Sequence, residues 1–171
     1  MRRLIVLTCT ALCSLAFANA QAVQCQNNIP PSNPDHAYVD HGDGTITDTR
    51  TGLMWKRCSE GQSWTGFTCN GYGSTHTWGE ALQLTAAASD AGYNDWRLPN
   101  INELESLVEY CASLPAINSD VFPNTPSSGF WSASPYAGYL DGAWGVDFYV
   151  GVSGYGSRGS NKWVRAVRGG Q

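Results

Sequence analysis

Four cysteines beyond the N-terminal apolar segment constrain the fold of this chain more than any other feature of its sequence. An even number of cysteines in an exported chain indicates a disulfide framework. Four cysteines allow three pairings. The short polar segment between Cys58 and Cys69 favours a local bridge, which leaves Cys25 to tie the N-terminal tail to Cys111.

A zinc site is the alternative use of these cysteines. No two of them have Cys-x-x-Cys spacing, and the three histidines, His36, His41 and His76, are scattered along the chain. Structural zinc sites usually combine closely spaced cysteine and histidine ligands. The sequence therefore favours disulfides, and we predict neither a metal nor any other cofactor.

The N-terminus has the pattern of a bacterial export signal. Arg2 and Arg3 precede an apolar run at residues 4–18, and Ala18 and Ala20 frame a small-residue cleavage site. A membrane-spanning helix needs roughly 20 apolar residues, which this run does not reach. We expect residues 1–20 to be removed, no transmembrane segment after them, and a location in the periplasm, outside the cell or on its surface.

Removal of Arg2 and Arg3 with the signal leaves 8 basic and 14 acidic side chains, a net charge of −6. The remaining length suits one domain. We expect a tail at residues 21–37 and a single domain at residues 38–171. The acidic balance argues against a nucleic-acid partner, because nucleic acids bind basic surfaces.

One hairpin and two helices are predicted in the first two thirds of the chain. Residues 38–48 read as two strands joined by the turn sequence HGDG at 41–44. Residues 77–88 read as a helix that Thr77 and Glu80 cap, and residues 101–111 as a second helix that Asn100 and Glu103 cap. Apolar residues recur at helical spacing as far as Cys111.

The last third of the chain indicates a sheet. Trp144, Val146, Phe148 and Val150 alternate as on one face of a strand, and residues 130–132 and 163–168 read as further strands. Gly-, Ser- and Tyr-rich segments at 134–142 and 151–161 read as loops. The sequence therefore predicts an α+β fold with two helices and a twisted, largely antiparallel, loop-rich sheet.

Five segments carry a resemblance to a known family. They are VDHGDGTITD at 39–48, TGLMW at 51–55, DWRLP at 95–99, FWSAS at 130–134 and VRAVR at 164–168. In this order they resemble the Lcl-type C-terminal domain, a bacterial domain of unknown function found at the end of a collagen-like adhesin. The resemblance implies a C-type-lectin-like fold, distantly related to the formylglycine-generating enzyme, in which a loop-rich sheet presents a ligand surface.

A calcium loop is the metal alternative. Asp40, Asp43 and Asp48 have an acidic, glycine-containing spacing that such loops share. The hairpin explains the same residues, since Asp-Gly is a common hairpin turn. The calcium-dependent sugar site of C-type lectins does not carry over, because only Asp141 and Asp147 lie in the corresponding C-terminal region.

The sequence does not favour an enzyme. Residues 154–159 match the dinucleotide pattern GxGxxG but precede a strand, whereas that motif opens a helix. Formylglycine-generating enzymes use cysteines in their C-terminal part, and no cysteine follows Cys111 here. We interpret Arg97 and Glu103 as a structural pair.

Two functions from different classes fit these observations. The first is a secreted or cell-surface binding module for a glycan, a protein or a host surface, as in adhesion. The second is a structural subunit of a pilus-like or fimbria-like assembly. An enzyme related to the formylglycine-generating enzyme is a distant third.

A ligand surface is predicted on the loops of the C-terminal third. Tyrosine offers a broad amphipathic contact at low entropic cost, and Gly and Ser let loops adapt, as in antibody paratopes. Exposed tyrosines that merely decorate flexible loops are the alternative. The predicted set is Tyr136, Tyr139, Tyr149, Tyr155, Arg158 and Lys162.

Overall fold

The structure is a computed structural model that describes residues 25–169. The predicted export signal lies outside the described residues. Within them, two helices, α1 (Trp78–Ala86) and α2 (Ile101–Glu105), accompany eleven short strands. The predicted α+β class is confirmed.

The strands form three sheets. A four-stranded antiparallel sheet has the order β1 (Tyr38–Asp40), β2 (Thr45–Asp48), β3 (Met54–Lys56) and β11 (Val167–Arg168). A five-stranded sheet has the order β6 (Thr75–His76), β10 (Lys162–Trp163), β7 (Gly129–Pro135), β8 (Gly142–Asp147) and β9 (Val152–Ser157). A small hairpin joins β4 (Ser63–Trp64) to β5 (Cys69–Asn70). Only β10 and β7 pair in parallel among the described strands.

The predicted N-terminal hairpin is present. Strands β1 and β2 pair antiparallel, with Tyr38 opposite Asp48. Gly42 and Gly44 in the turn both have positive φ, at 77° and 90°, which a residue with a side chain rarely adopts. The turn sequence therefore sets the register of this hairpin.

Both helices begin where their caps predict. The Thr77 side chain accepts a hydrogen bond from the Glu80 amide, and the Glu80 carboxylate accepts one from the Thr77 amide. Asn100 and Glu103 make the same reciprocal pair at the start of α2. Each box satisfies two backbone amides that a helix start would otherwise leave without partners.

The predicted length of the second helix is wrong. Helix α2 ends at Glu105, six residues before Cys111. Leu107 and Val108 donate backbone hydrogen bonds three residues back, and Val108 then forms an antiparallel bridge with Ile117. The apolar residues of this segment are buried as expected, but a turn and an extended bridge bury them instead of a helix.

Three predictions for the last third are also wrong. The predicted strand at 163–168 is two short strands, β10 and β11, which lie in different sheets. Strand β8 ends at Asp147, so Phe148 is buried beyond the strand and Val150 is exposed in the following turn. The predicted loop at 151–161 contains β9, whose six residues all pair with β8. Pairing with a neighbouring strand overrides the weak strand propensity of this Gly- and Ser-rich segment.

The five-stranded sheet separates two apolar cores. Phe130 and Trp131 are adjacent in β7 and therefore point to opposite faces. Phe130 packs with Leu104 of α2, Val146 and other residues of the larger core. Trp131 packs with Ala81 of α1 in the smaller one. Both faces of the sheet are thus covered near its centre.

Two disulfides close the chain, and their pairs are those the sequence favours. Cys25 is bonded to Cys111 and Cys58 to Cys69. The first holds the N-terminal tail against the segment after α2, where the Gln26 amide also donates to the Cys111 carbonyl. No helix in the described range has the length and apolar character needed to cross a membrane.

Candidate functional site

Three aromatic side chains meet at one end of the five-stranded sheet. Trp144 of β8 and Tyr155 of β9 are cross-strand partners. The Tyr136 ring, just beyond β7, stacks on the Tyr155 ring with centroids 4.1 Å apart and an interplanar angle of 7°. It also meets Trp144 edge-on, at 5.0 Å and 89°. We call these three residues the aromatic cluster.

The turn between β7 and β8 adds exposed apolar surface beside the cluster. The Tyr136 amide donates to the Gly142 carbonyl, and the Gly142 amide donates to the Tyr139 carbonyl. Tyr139 is 51% exposed and Leu140 is 92% exposed. Large apolar side chains that are exposed together on a protein surface are typical of a site that contacts another molecule.

Close packing at this turn requires glycine. A Cβ atom at Gly138 would lie 2.8 Å from the Tyr136 ring. A Cβ atom at Gly142 would lie 3.0 Å from the Tyr139 carbonyl oxygen and 3.3 Å from the Tyr139 ring. These glycines let both tyrosines lie against the end of the sheet, so the surface is built into the fold.

Arg158 lies at the same end of the sheet but turns to its other face. The Arg158 amide donates to the Asp141 carbonyl, and its guanidinium donates from Nε to the Gly142 carbonyl. The guanidinium lies 4.3 Å from the centre of the Trp78 ring. A cation on an indole face is a stable pair, and this pair lies on the face of the sheet opposite to the aromatic cluster.

The structure does not bring the other two predicted residues to this end. Tyr149 lies in the turn between β8 and β9, at the opposite end of both strands, where its amide donates to Asp147. Lys162 of β10 lies on the face of Trp131, 5.1 Å from that ring, and not on the face of Tyr155. Of the six predicted residues, three tyrosines therefore lie together, at positions 136, 139 and 155. Arg158 lies at the same end on the other face of the sheet, and the remaining two lie apart.

Sequence reasoning missed Trp144 and Leu140 as parts of this surface. The sequence places Trp144 and Val146 on the same face of a strand. Val146 is buried, whereas Trp144 is half-buried against Tyr136 at the open end of the sheet. The alternation of apolar residues shows which face of the strand a side chain lies on. Whether that side chain is buried in the core or lies at the open end of the sheet depends on its position along the strand.

The three aspartates of the calcium alternative are each held by protein donors. Asp40 pairs with Arg57 at 2.6 Å, and Asp48 pairs with Arg50 at 2.9 Å. The Asp43 carboxylate accepts hydrogen bonds from the amide and hydroxyl of Thr45. Partial burial opposes the ionisation of Asp43, but these bonds outweigh it and lower its pKa. The oxygens do not converge as ligands of one ion would.

Arg97 and Glu103 form a bidentate ion pair. Two guanidinium nitrogens donate to the two carboxylate oxygens at 2.7 and 2.8 Å. Burial opposes the ionisation of Glu103, but the bonds from Arg97 and from the Asn100 amide together lower its pKa. The pair joins the start of α2 to the segment before it.

A cleft of about 440 Å³ lies near the Cys25–Cys111 disulfide, far in sequence from the aromatic cluster. Asp35, Glu109 and Asp120 line it. The buried Glu109 carboxylate already accepts hydrogen bonds from the amides of Ser32 and Asn33. Glu109 in the lining of this cleft therefore holds the N-terminal tail in place.

A family model matches a range of the chain that includes the whole five-stranded sheet and the aromatic cluster. The model is described as the Lcl C-terminal domain and matches residues 44–168. The chain belongs to the Lcl C-terminal domain family. The match starts within the turn of the N-terminal hairpin, so Asp40 and Asp43 lie before the part that this Lcl C-terminal domain model covers. No curated protein matches the chain.

Proposed function

We propose that this protein is an exported, non-catalytic binding module whose contact surface is the aromatic cluster with Tyr139 and Leu140. The observation that supports this most is the packing of Tyr136, Trp144 and Tyr155 at an open end of the sheet. Stacked rings are held in one arrangement before a ligand arrives, so little side-chain entropy remains to be lost on binding. Tyr and Trp are also the residues that most often dominate binding surfaces.

The ligand class that fits this surface is a glycan or a protein. Aromatic faces that carry phenol hydroxyl groups suit both, because each ligand combines apolar area with hydrogen-bonding groups. The charged pairs described above are used inside the fold, which supports a binding role over a catalytic one. The resemblance to a domain from an adhesin supports the same proposal, and the two disulfides suit export.

The double variant Tyr139→Ala with Tyr155→Ala is expected to lose binding to any ligand identified on a glycan or protein array. Both side chains expose about half of their surface. The fold should survive, with a loss of about 1 kcal/mol in unfolding free energy from the broken Tyr136–Tyr155 stack. Titration calorimetry with the array hit measures the binding, and chemical denaturation measures the stability.

Tyr149→Ala is the matched control. Its side chain is 52% exposed, close to the 57% of Tyr155, but it lies at the opposite end of β8 and β9. The control should bind as the parent protein does. A double variant that binds normally would remove the aromatic cluster as the contact surface. Filaments in place of saturable binding would favour the alternative of an assembly subunit.

A further inference from the structure

Strand β9 is an unprotected edge of the five-stranded sheet. It pairs with β8 on one side, and no strand of the described residues pairs with it on the other. Its sequence, VSGYGS, contains no charged residue and no proline, and its first four residues are exposed. Proteins usually protect such an edge with charge, proline, a bulge or a covering loop. None of these protects β9 within the part of the chain that the structure describes.

The hydrogen-bonding groups on this edge can be assigned from the ladder. The Arg158 amide donates to the Asp141 carbonyl, which makes residues 141 and 158 a hydrogen-bonded pair. Because such pairs alternate along antiparallel strands, the backbone groups of Ser153, Tyr155 and Ser157 point away from β8. The amides of Ser153 and Tyr155 have no hydrogen-bond partner among the described residues.

We propose that β9 pairs antiparallel with β9 of a second copy of this chain, about a two-fold axis at Tyr155. In this register Tyr155 lies opposite its own counterpart and Ser153 lies opposite Ser157. The outward amides and carbonyls of the two strands then satisfy one another. The two five-stranded sheets become one continuous sheet.

Side chains on both faces fit a self-complementary pairing. On one face of the sheet, the Tyr136 ring covers the side of the Tyr155 ring that points towards β8. The opposite side of the Tyr155 ring is therefore turned towards the free edge. Paired strands lie about 4.8 Å apart, a distance close to that between stacked rings, so the two Tyr155 rings can stack as well. On the other face, Gly154 and Gly156 carry no side chain that could obstruct the second copy.

The charges near the strand favour the antiparallel direction. Glu105 accepts a hydrogen bond from the Ser153 hydroxyl at one end, and Arg158 follows the other end. A parallel arrangement would place Glu105 near the same residue of the second copy. The antiparallel arrangement places the two Glu105 carboxylates at opposite ends of the paired strands, so they do not repel each other. This pairing does not rest on the proposed binding function, because it needs no ligand.

Ser153→Pro tests the pairing by sedimentation velocity over a concentration series of the oxidised protein. Proline removes the outward amide of residue 153, which β8 does not use, and its ring blocks an approaching strand. The parent protein should show a concentration-dependent monomer–dimer equilibrium, and Ser153→Pro should stay monomeric. Ser153→Ala is the matched control: it also loses the hydroxyl contact with Glu105 but keeps the amide, and it should dimerise.

Hydrogen exchange of the parent protein gives a second readout that does not depend on how the proline variant folds. The amides of Ser153 and Tyr155 should exchange more slowly as the protein concentration rises, whereas that of the exposed Val39 in β1 should not change. A parent protein that stays monomeric at its highest soluble concentration would overturn the proposal. A trimer, equal dimerisation of Ser153→Pro, or concentration-independent exchange at residues 153 and 155 would overturn it too.

Discussion

Replacing Arg165 by Met is expected to lower the free energy of unfolding by about 3 kcal/mol or more. The Arg165 side chain is fully buried and has no carboxylate within ion-pair distance among the described residues. Its guanidinium donates to the carbonyls of Lys56 and Arg57 and to the Thr125 hydroxyl. Met fills similar space but leaves these buried acceptors without a donor, and each unsatisfied group costs about 1–3 kcal/mol.

The charge state of Arg165 supports this role. Burial lowers the pKa of its guanidinium to about 9, while nearby Glu60 acts in the opposite direction. A pKa of about 9 still leaves the group protonated at neutral pH, so all its hydrogen bonds are charge-assisted. The guanidinium also lies 4.8 Å from the centre of the Phe122 ring. Arg165 thus links β3, the Thr125 loop and the larger core.

Arg168→Met is the matched control, since it makes the same substitution in the same VRAVR segment. Arg168 pairs with the exposed Asp95 at 2.7 Å, and exposed ion pairs contribute little to stability. Urea denaturation of both variants should show a much larger loss for Arg165→Met. Equal losses, or an Arg165→Met variant as stable as the parent, would contradict the structural role assigned to Arg165.

Removing the Cys25–Cys111 disulfide should cost about 4–5 kcal/mol of unfolding free energy. The two cysteines are 86 residues apart, and in the chain-entropy model the stabilisation grows with the length of the closed loop. The Cys58–Cys69 pair closes only 11 residues and should contribute about 3 kcal/mol. Paired Cys→Ala variants of each bridge, compared by chemical denaturation, measure both values.

The most direct test of this prediction is which of the two disulfides contributes more to the free energy of unfolding. Each double variant removes both cysteines of one bridge, so neither leaves a free thiol, and each serves as the control for the other. A larger loss for the Cys58–Cys69 variant would contradict the loop-length argument. Peptide mapping without reduction checks the pairs themselves, and a peptide that links Cys25 to Cys58 would contradict both.

Local signals in the sequence predicted the elements that depend on local contacts. The HGDG turn and the two capping boxes each involve residues within four positions of one another, so their geometry follows from side chains that the sequence shows directly. The elements that failed depend on distant partners. Helix α2 stops early because Val108 bridges Ile117, and β9 forms because β8 lies beside it.

The candidate site could be predicted only in part for the same reason. Composition singled out the tyrosines of the C-terminal third, and the structure places Tyr136, Tyr139 and Tyr155 together. Sequence proximity also grouped Tyr149 with them, although strand β8 carries it to the other end of the sheet. The role of Trp144 depends on how far along β8 it lies, and periodicity does not report that position.

Mapping the contact surface of an array hit by backbone amide chemical shifts tests the central claim most directly. A hit that binds saturably should shift the amides at residues 136–142 and 155–158, which form one end of the five-stranded sheet. The amides around Tyr149, at the other end, should stay unchanged and serve as the internal control. Shifts confined to the acidic cleft at Asp35 and Asp120 would contradict the claim that the aromatic cluster is the binding surface.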